Sequence, residues 1–274
     1  MSYASLEFSL EDGRPIYLYR FSLNDKTWRY TSADEDIEKA GQLWIAVPIA
    51  DDGIRQTGDA VTDSLNITTT TSIVPVQLYM HYPPSRDVSV AIFTSHEGDD
   101  EIRAIYVGDV TQCNVLQPGT AKLTCETFSA TMEREGLRLG WQRNCPYALY
   151  DPVTCKVDKT AIALTGAVTN VVDNVVTLPA IGGQGLGHYR GGFVEWTDPV
   201  RGIERRSIED HAVDSTLVMF GGAEGIAIGT VLTAYPGCDR TVNACSVIFN
   251  NYDNYGGAPS LKGKSPFDGQ SVFN

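Results

Sequence analysis

Four cysteines in the second half of the chain stand in two short, turn-rich segments. Cys145 and Cys155 lie in Asn144-Cys-Pro-Tyr-Ala-Leu-Tyr-Asp-Pro-Val-Thr-Cys155, and Cys238 and Cys245 in Pro236-Gly-Cys-Asp-Arg-Thr-Val-Asn-Ala-Cys245. The second segment runs on into Phe249-Asn-Asn-Tyr-Asp-Asn-Tyr-Gly-Gly257. A cysteine used for packing sits inside an apolar strand or helix. These four stand beside Pro, Gly, Asn and Asp, where a backbone turns and several thiolates can face one object. Four such thiols can bind a metal ion, hold an iron–sulfur cluster or pair as two disulfides.

Spacing separates these options only partly. Nine residues lie between Cys145 and Cys155 and six between Cys238 and Cys245. Structural zinc sites favour about two to four residues within a pair, whereas a cubane is larger than one ion and tolerates longer spans. Two disulfides require an oxidising compartment. The chain begins Met-Ser-Tyr-Ala-Ser-Leu-Glu-Phe, without the basic and apolar regions of a secretory signal, so synthesis and folding in a reducing cytoplasm are expected. On spacing, cluster, zinc, disulfides and unligated thiols all stay open. The other two cysteines, Cys113 and Cys125, flank the turn signal Gln117-Pro-Gly-Thr120. They are expected on paired strands as small apolar residues, with a cross-strand disulfide as the alternative.

Other chemistry is sparse. His81, His96, His188 and His211 are scattered, with no His-Glu-x-x-His and no helical pairing, and are read as structural. The cluster Gly182-Gly-Gln-Gly-Leu-Gly187 lacks dinucleotide-binding spacing and reads as a loop. Asp34-Glu-Asp36 and Asp99-Asp-Glu101 are charge runs on turns. No Ser lies in a Gly-x-Ser-x-Gly elbow. The expectation is a protein that is not an enzyme.

The scaffold reads as mainly β: two β-rich, barrel- or sandwich-like domains with one or two short helices and an extended C-terminal arm. Alternating segments recur at Leu6–Leu10, Pro15–Leu23, Trp28–Ser32, Trp44–Ala50, Ser64–Ser72, Val88–Thr94 and Glu101–Val107. The series continues with a hairpin over Ala161–Leu178 turning at Val172-Asp-Asn174, then Gly192–Trp196, Glu204–Ile208, Thr216–Phe220 and Thr230–Tyr235. Short helices are expected at Val74–Tyr82, stopped by Pro83-Pro84, and at Asp239–Phe249, capped by Asp239 or Thr241. From Gly256 the chain reads as an arm. No segment approaches the roughly 18 apolar residues of a membrane span.

Charge marks the boundary. Residues 1–137 carry 21 acidic and 10 basic side chains, and residues 138–274 carry 13 and 11. Two domains, 1–137 and 138–274, are therefore expected. The acidic first half is unsuited to holding phosphates; its charge serves solubility or lines a surface that repels DNA.

The residues around the four cysteines carry a resemblance. Cys145-Pro-Tyr-Ala-Leu-Tyr150, Cys155-Lys-Val-Asp158, Tyr235-Pro-Gly-Cys238-Asp, Cys245-x-x-x-Phe249-x-Asn251 and Asn254-Tyr-Gly-Gly257-x-Pro259 resemble the C-terminal signature of siphophage and gene-transfer-agent baseplate hub proteins, related to the tail-tip protein of lambda-like phages. The match covers about 40 residues of the last 130, in the same order; the first half matches loosely, as a β-rich hub domain. The resemblance implies a 4Fe–4S cluster on Cys145, Cys155, Cys238 and Cys245, in a structural protein of the virion. It further implies a homotrimer at the tail tip, assembled in the host cytoplasm. Its neighbours would be the distal tail protein, the C-terminus of the tape-measure protein and a central fibre protein, with DNA passing through unbound. One departure is Ala258, where the family often has Phe in Gly-Gly-Phe-Pro. Rival readings are an iron–sulfur enzyme or electron carrier and a zinc-stapled adhesin or fibre domain.

Overall fold

The computed structural model describes residues 15–54, 64–127 and 140–261. The chain is mainly β and divides into two compact units. One comprises residues 1–135 with 199–204, the other residues 136–198 with 205–274. The expected strand Leu6–Leu10, the 137/138 boundary and the arm beyond residue 261 lie outside the described residues.

The first unit is built from β1 (Pro15–Leu23), β2 (Lys26–Thr31), β3 (Ile37–Lys39), β4 (Gln42–Ala46), β5 (Ile49–Asp51), β6 (Leu65–Thr70), α1 (Val74–Gln77), β7 (Val88–His96), β8 (Arg103–Gln117) and β9 (Thr120–Thr127). Its nine strands form one sheet, ordered β3-β4-β2-β1-β7-β8-β9-β6-β5. Alternation along β1 sends Tyr19, Phe21 and Leu23 into the core, where they meet Val88, Val90 and Ile92 of β7 and Leu123 of β9. The expected single strand Trp44–Ala50 is two strands, because Pro48 has no N–H to give a ladder. α1 is one turn long and carries Pro75 in that turn, where its missing donor costs nothing. Buried Arg201, within this unit, donates to the Leu78 carbonyl at 2.7 Å and lies 3.8 Å over the Tyr82 ring.

Four acids of this unit serve local structure. Asp36 accepts from the Ala46 N–H, Asp51 from the Tyr19 hydroxyl, Asp52 from the Asn66 N–H and Asp99 from the Glu101 N–H. Short acidic side chains at turns satisfy backbone donors that no ladder reaches.

The other sheet comprises β10 (Leu164–Ala167), β11 (Asn170–Val172), β12 (Val175–Thr177), β13 (Phe193–Asp198), β14 (Gly202–Asp210), β15 (Thr216–Met219) and β16 (Val231–Tyr235), in the order β10-β16-β13-β14-β15-β12-β11. The expected hairpin over Ala161–Leu178 is shorter: only β11 and β12 pair across Asp173-Asn174, while β10 pairs with β16. The core holds Val176, Leu178, Tyr189, Val194, Trp196, Leu217, Met219 and Leu232. No cysteine belongs to it.

Candidate metal centre

The cysteine segments converge where β16 ends beside the start of β13. Phe193 pairs with Tyr235 there, and their rings stack at 4.7 Å. The loop carrying Cys145 and Cys155 is held against this end by Tyr150. Its ring meets Phe193, Tyr235 and Phe249 edge-on at 5.9, 6.2 and 6.2 Å, and its hydroxyl donates to the Pro236 carbonyl. Burial raises the Tyr150 pKa well above the phenol range, and the nearby Cys155 and Cys238 add to this.

Cys238 leaves β16 through Pro236-Gly237. The Gly237 N–H donates to the His188 carbonyl at 3.1 Å, and a Cβ on Gly237 would overlap the Arg190 carbonyl. Only glycine allows so close a backbone crossing. Asp239 then accepts from the Thr241 N–H at 2.9 Å, and the Thr241 hydroxyl accepts from the Ala244 N–H at 3.2 Å. Both capping residues expected from sequence therefore act, in series. The helix they start is one π-helical turn, Ala244–Ile248, closed by Phe249 N–H to the Ala244 carbonyl at 3.4 Å. Such turns concentrate at functional sites, and this one carries Cys245.

Asn251 and Asn254 give the Phe-x-Asn segment its use. The Asn251 side-chain amide donates to the Cys155 carbonyl at 2.6 Å, and its N–H to the Cys245 carbonyl at 2.9 Å. Its carbonyl accepts from the Cys245 thiol at 3.1 Å, and Asn254 donates to its Oδ1 at 2.7 Å. One side chain thus ties the Cys155 loop to the Cys245 turn across 96 positions of sequence. Gly256 lies so flat on the Tyr147 ring that a Cβ there would overlap it. Ala258, the departure from the family's usual Phe, is held through its backbone: its N–H donates to the Gln142 carbonyl at 2.9 Å.

Cys145, Cys155, Cys238 and Cys245 line one cavity of about 290 Å³, whose walls include Tyr147, Leu149, Val157 and Phe249. Burial pushes the Cys238 and Cys245 thiols above their ordinary pKa; for Cys238 the Arg240 N–H partly offsets this, and for both the neighbouring thiols add to it. Among the described residues no three His, Cys, Asp or Glu side chains are gathered closely enough for a single metal ion. The backbone around the cavity is strained. Tyr150, Lys156, Arg240 and Asn250 adopt left-handed φ of 65°, 58°, 65° and 46°, four of the eight such non-glycine residues among those described. Residues of this kind hold such angles only where surrounding contacts impose them, commonly at functional sites.

Sequence reasoning had singled out the four cysteines, Phe249, Asn251 and Asn254, and all of these converge. Tyr255 stood in the quoted motif without a role, and Arg240 was missed. The Arg240 carbonyl accepts from the Cys145 N–H at 2.9 Å, and its guanidinium donates to the Tyr147 carbonyl at 3.2 Å. The Tyr255 hydroxyl donates to the Arg143 carbonyl at 2.6 Å. Nothing in their spacing signals contacts with a loop over 90 positions away. Cys113 and Cys125 lie elsewhere, as free thiols on β8 and β9. Their partners across the ladder are Leu123 and Val110, not each other. Cys125 is fully buried, and burial pushes its pKa up to about 12.

Residues 187–265, which include Cys238, Cys245 and Asn251, match a protein-family model described as phage conserved hypothetical protein BR0599. A protein of Xylella fastidiosa (strain 9a5c), described as uncharacterized, is 25% identical over 185 residues, covering 62% of this chain and 38% of that one. The chain thus spans well under half of that relative. A chain from the solved structure titled "Virion of native gene transfer agent (GTA) particle" superposes with a TM-score of 0.78 at 16% identity, over 99% of both chains. That similarity establishes a shared fold.

Proposed function

We propose that the chain is a structural component of a phage-type virion, a tail-tip hub, whose second unit is stapled by a 4Fe–4S cluster on Cys145, Cys155, Cys238 and Cys245. The observation that carries this is the convergence of these four thiols on one cavity, in a chain sharing its whole fold with a gene transfer agent virion component. The match of residues 187–265 to a phage family model also supports it.

The donor set fits the group. Thiolates are the ligands iron–sulfur clusters take. A cavity of about 290 Å³ holds many times the ~30 Å³ share of one water, so it suits a multi-atom group. Zinc at ~2.3 Å from four sulfurs would need them about 3.8 Å apart; the described side chains gather no such set. The cluster, when bound, supplies four iron–thiolate bonds. The chain's own part is to hold the thiols in place: Tyr150 fixes the first loop, Asn251 couples the two, and the π-helical turn aims Cys245. Because two thiols have raised pKa values, loading displaces protons and strengthens as pH rises.

In the virion the reading is a homotrimeric hub between the distal tail protein, the tape-measure C-terminus and a central fibre protein, with an acidic first unit that lets DNA pass without holding it. No helix among the described residues is long and apolar enough to cross a membrane. The test is anaerobic purification of the full chain with iron, acid-labile sulfide and zinc analysis, and light scattering for mass. About four iron and four sulfide per chain and a trimeric mass are expected. Stoichiometric zinc without sulfide, or turnover coupled to an electron partner, would overturn the structural-cluster reading.

A further inference from the structure

Arg240 stands apart from every other residue facing the cavity. Cysteines, aromatic and aliphatic side chains, Gly191, Thr241 and Asn254 make up the rest of the wall, so among the described residues Arg240 is the one permanently charged side chain on it. Its backbone N–H donates to Cys238 Sγ at 3.3 Å. Its carbonyl accepts from the Cys145 N–H at 2.9 Å and the Tyr255 hydroxyl at 3.2 Å. Its guanidinium donates to the Tyr147 carbonyl at 3.2 Å and reaches the Cys145 carbonyl at 3.5 Å. The residue is pinned at φ 65°, a left-handed conformation that an arginine adopts only when its contacts demand it.

A cavity with these walls presents an electrostatic problem. Four thiolates around a cubane carry net negative charge, and reduction adds more. Anionic charge in a largely apolar cavity is costly unless a cation or hydrogen-bond donors oppose it. Arg240 offers both: an N–H on one sulfur and, on an exposed side chain, a guanidinium held at the cavity wall, where a charge acts over roughly 8 Å at physiological salt. Cluster potentials respond to net charge, to hydrogen bonds on sulfur and to solvent exposure.

We propose that Arg240 is the positioning residue that sets the reduction potential of the cluster, its guanidinium favouring the more negative, reduced state. This rests on the cluster reading above. Reduction here means one electron entering the iron–sulfur core from an external reductant such as dithionite; no bond to the protein breaks.

The experiment is a dithionite redox titration of the intact, iron-loaded chain, followed by absorbance and electron paramagnetic resonance, on wild type, Arg240→Gln and Arg240→Lys. The Arg240→Gln variant keeps the backbone N–H and removes the charge. It should retain iron and sulfide while its reduction equilibrium weakens about tenfold, a potential lower by about 59 mV for one electron. Arg240→Lys should stay near wild type. An unchanged potential in iron-loaded Arg240→Gln would overturn the proposal. Loss of iron from Gln and Lys variants alike would overturn it too, since the side chain would then act through its hydrogen bonds to the Cys145 loop and not its charge. Loss from Gln alone would overturn it as well, since the charge would then serve assembly of the cluster and not its potential. Wild-type protein free of iron and sulfide would instead sink the cluster reading itself, a separate outcome.

Discussion

The two groups of cysteines use the same side chain in opposite ways. Cys113 and Cys125 sit on the ladder of a hairpin, where period two decides which face each side chain takes. Cys125 falls on the inner face, fully buried among Val110, Leu123 and Ile67, and behaves as a small apolar residue. The four cysteines of the second unit sit where no ladder dictates direction. Their orientation comes from side chains that reach across the loops: Tyr150, Asn251, Arg240 and Tyr255. Strand cysteines are positioned by the backbone, and loop cysteines by tertiary ties.

The largest test of that contrast is iron content. Cys145→Ser, Cys155→Ser, Cys238→Ser and Cys245→Ser should each lower iron sharply and destabilise the second unit, while Cys113→Ser and Cys125→Ser leave iron unchanged. Full occupancy in two or more of the first group would end the ligand assignment. Cys125→Ser should still destabilise its own unit by about 1–3 kcal/mol, because it buries a hydroxyl without a partner; an unchanged urea midpoint would contradict the packing role.

Removing the cluster by chelation should loosen residues from about 140 onward while β1 to β9 keep their hydrogen-exchange protection. Binding energy acts as folding energy only for the unit that holds the metal. Uniform loss in both units would mean one cooperative domain.

A smaller effect should follow from Asn251→Ala, which removes the tie to Cys155 and leaves the Cys155 carbonyl and Asn254 amide short of a partner. A stability loss of about 1–3 kcal/mol and faster release of iron to a chelator are expected. Chelation kinetics identical to wild type would show that the loops hold their places without it.

The smallest is a pH effect confined to the second unit. Burial lowers the pKa of His188, with His211 adding to the effect, and burial lowers that of His211 against the pull of Asp214 and Asp210. Below the ordinary histidine value of ~6.5 the unfolded chain therefore binds more protons than the folded one. The stability held by these neutral rings is complete above that pH and is lost as pH falls through the lower folded values. The urea midpoint of this unit should drop on acidification from about pH 7 to about pH 5, and His211→Gln should flatten the slope. A midpoint insensitive to pH in wild type would remove the argument.

Sequence reading served strands better than loops. Tyr19, Phe21 and Leu23 announce their face by alternation, and the Asp173-Asn174 turn announces its hairpin. The pairing of β10 with β16 was hidden, because local pattern does not name a distant partner. The cysteines were legible through their turn-rich settings and the motif around them. The ties that aim them were less so: Asn251 stood in the motif without a reason, and Arg240 gave no signal, since its role depends on a loop 95 positions earlier. Gly256 acquires its reason only once the Tyr147 ring is seen against it.

The span between the two halves of the site also has a consequence in time. Cys238 is translated 83 residues after Cys155, which at roughly 5–20 residues per second is about 4–17 s. Through that interval the ribosome presents Cys145 and Cys155 without the strand and turn that complete their surroundings. Any metal that accepts two thiols can visit them first. If the four thiols take a cluster as proposed, the order of synthesis places full ligation after closure of β16 onto β10 and β13.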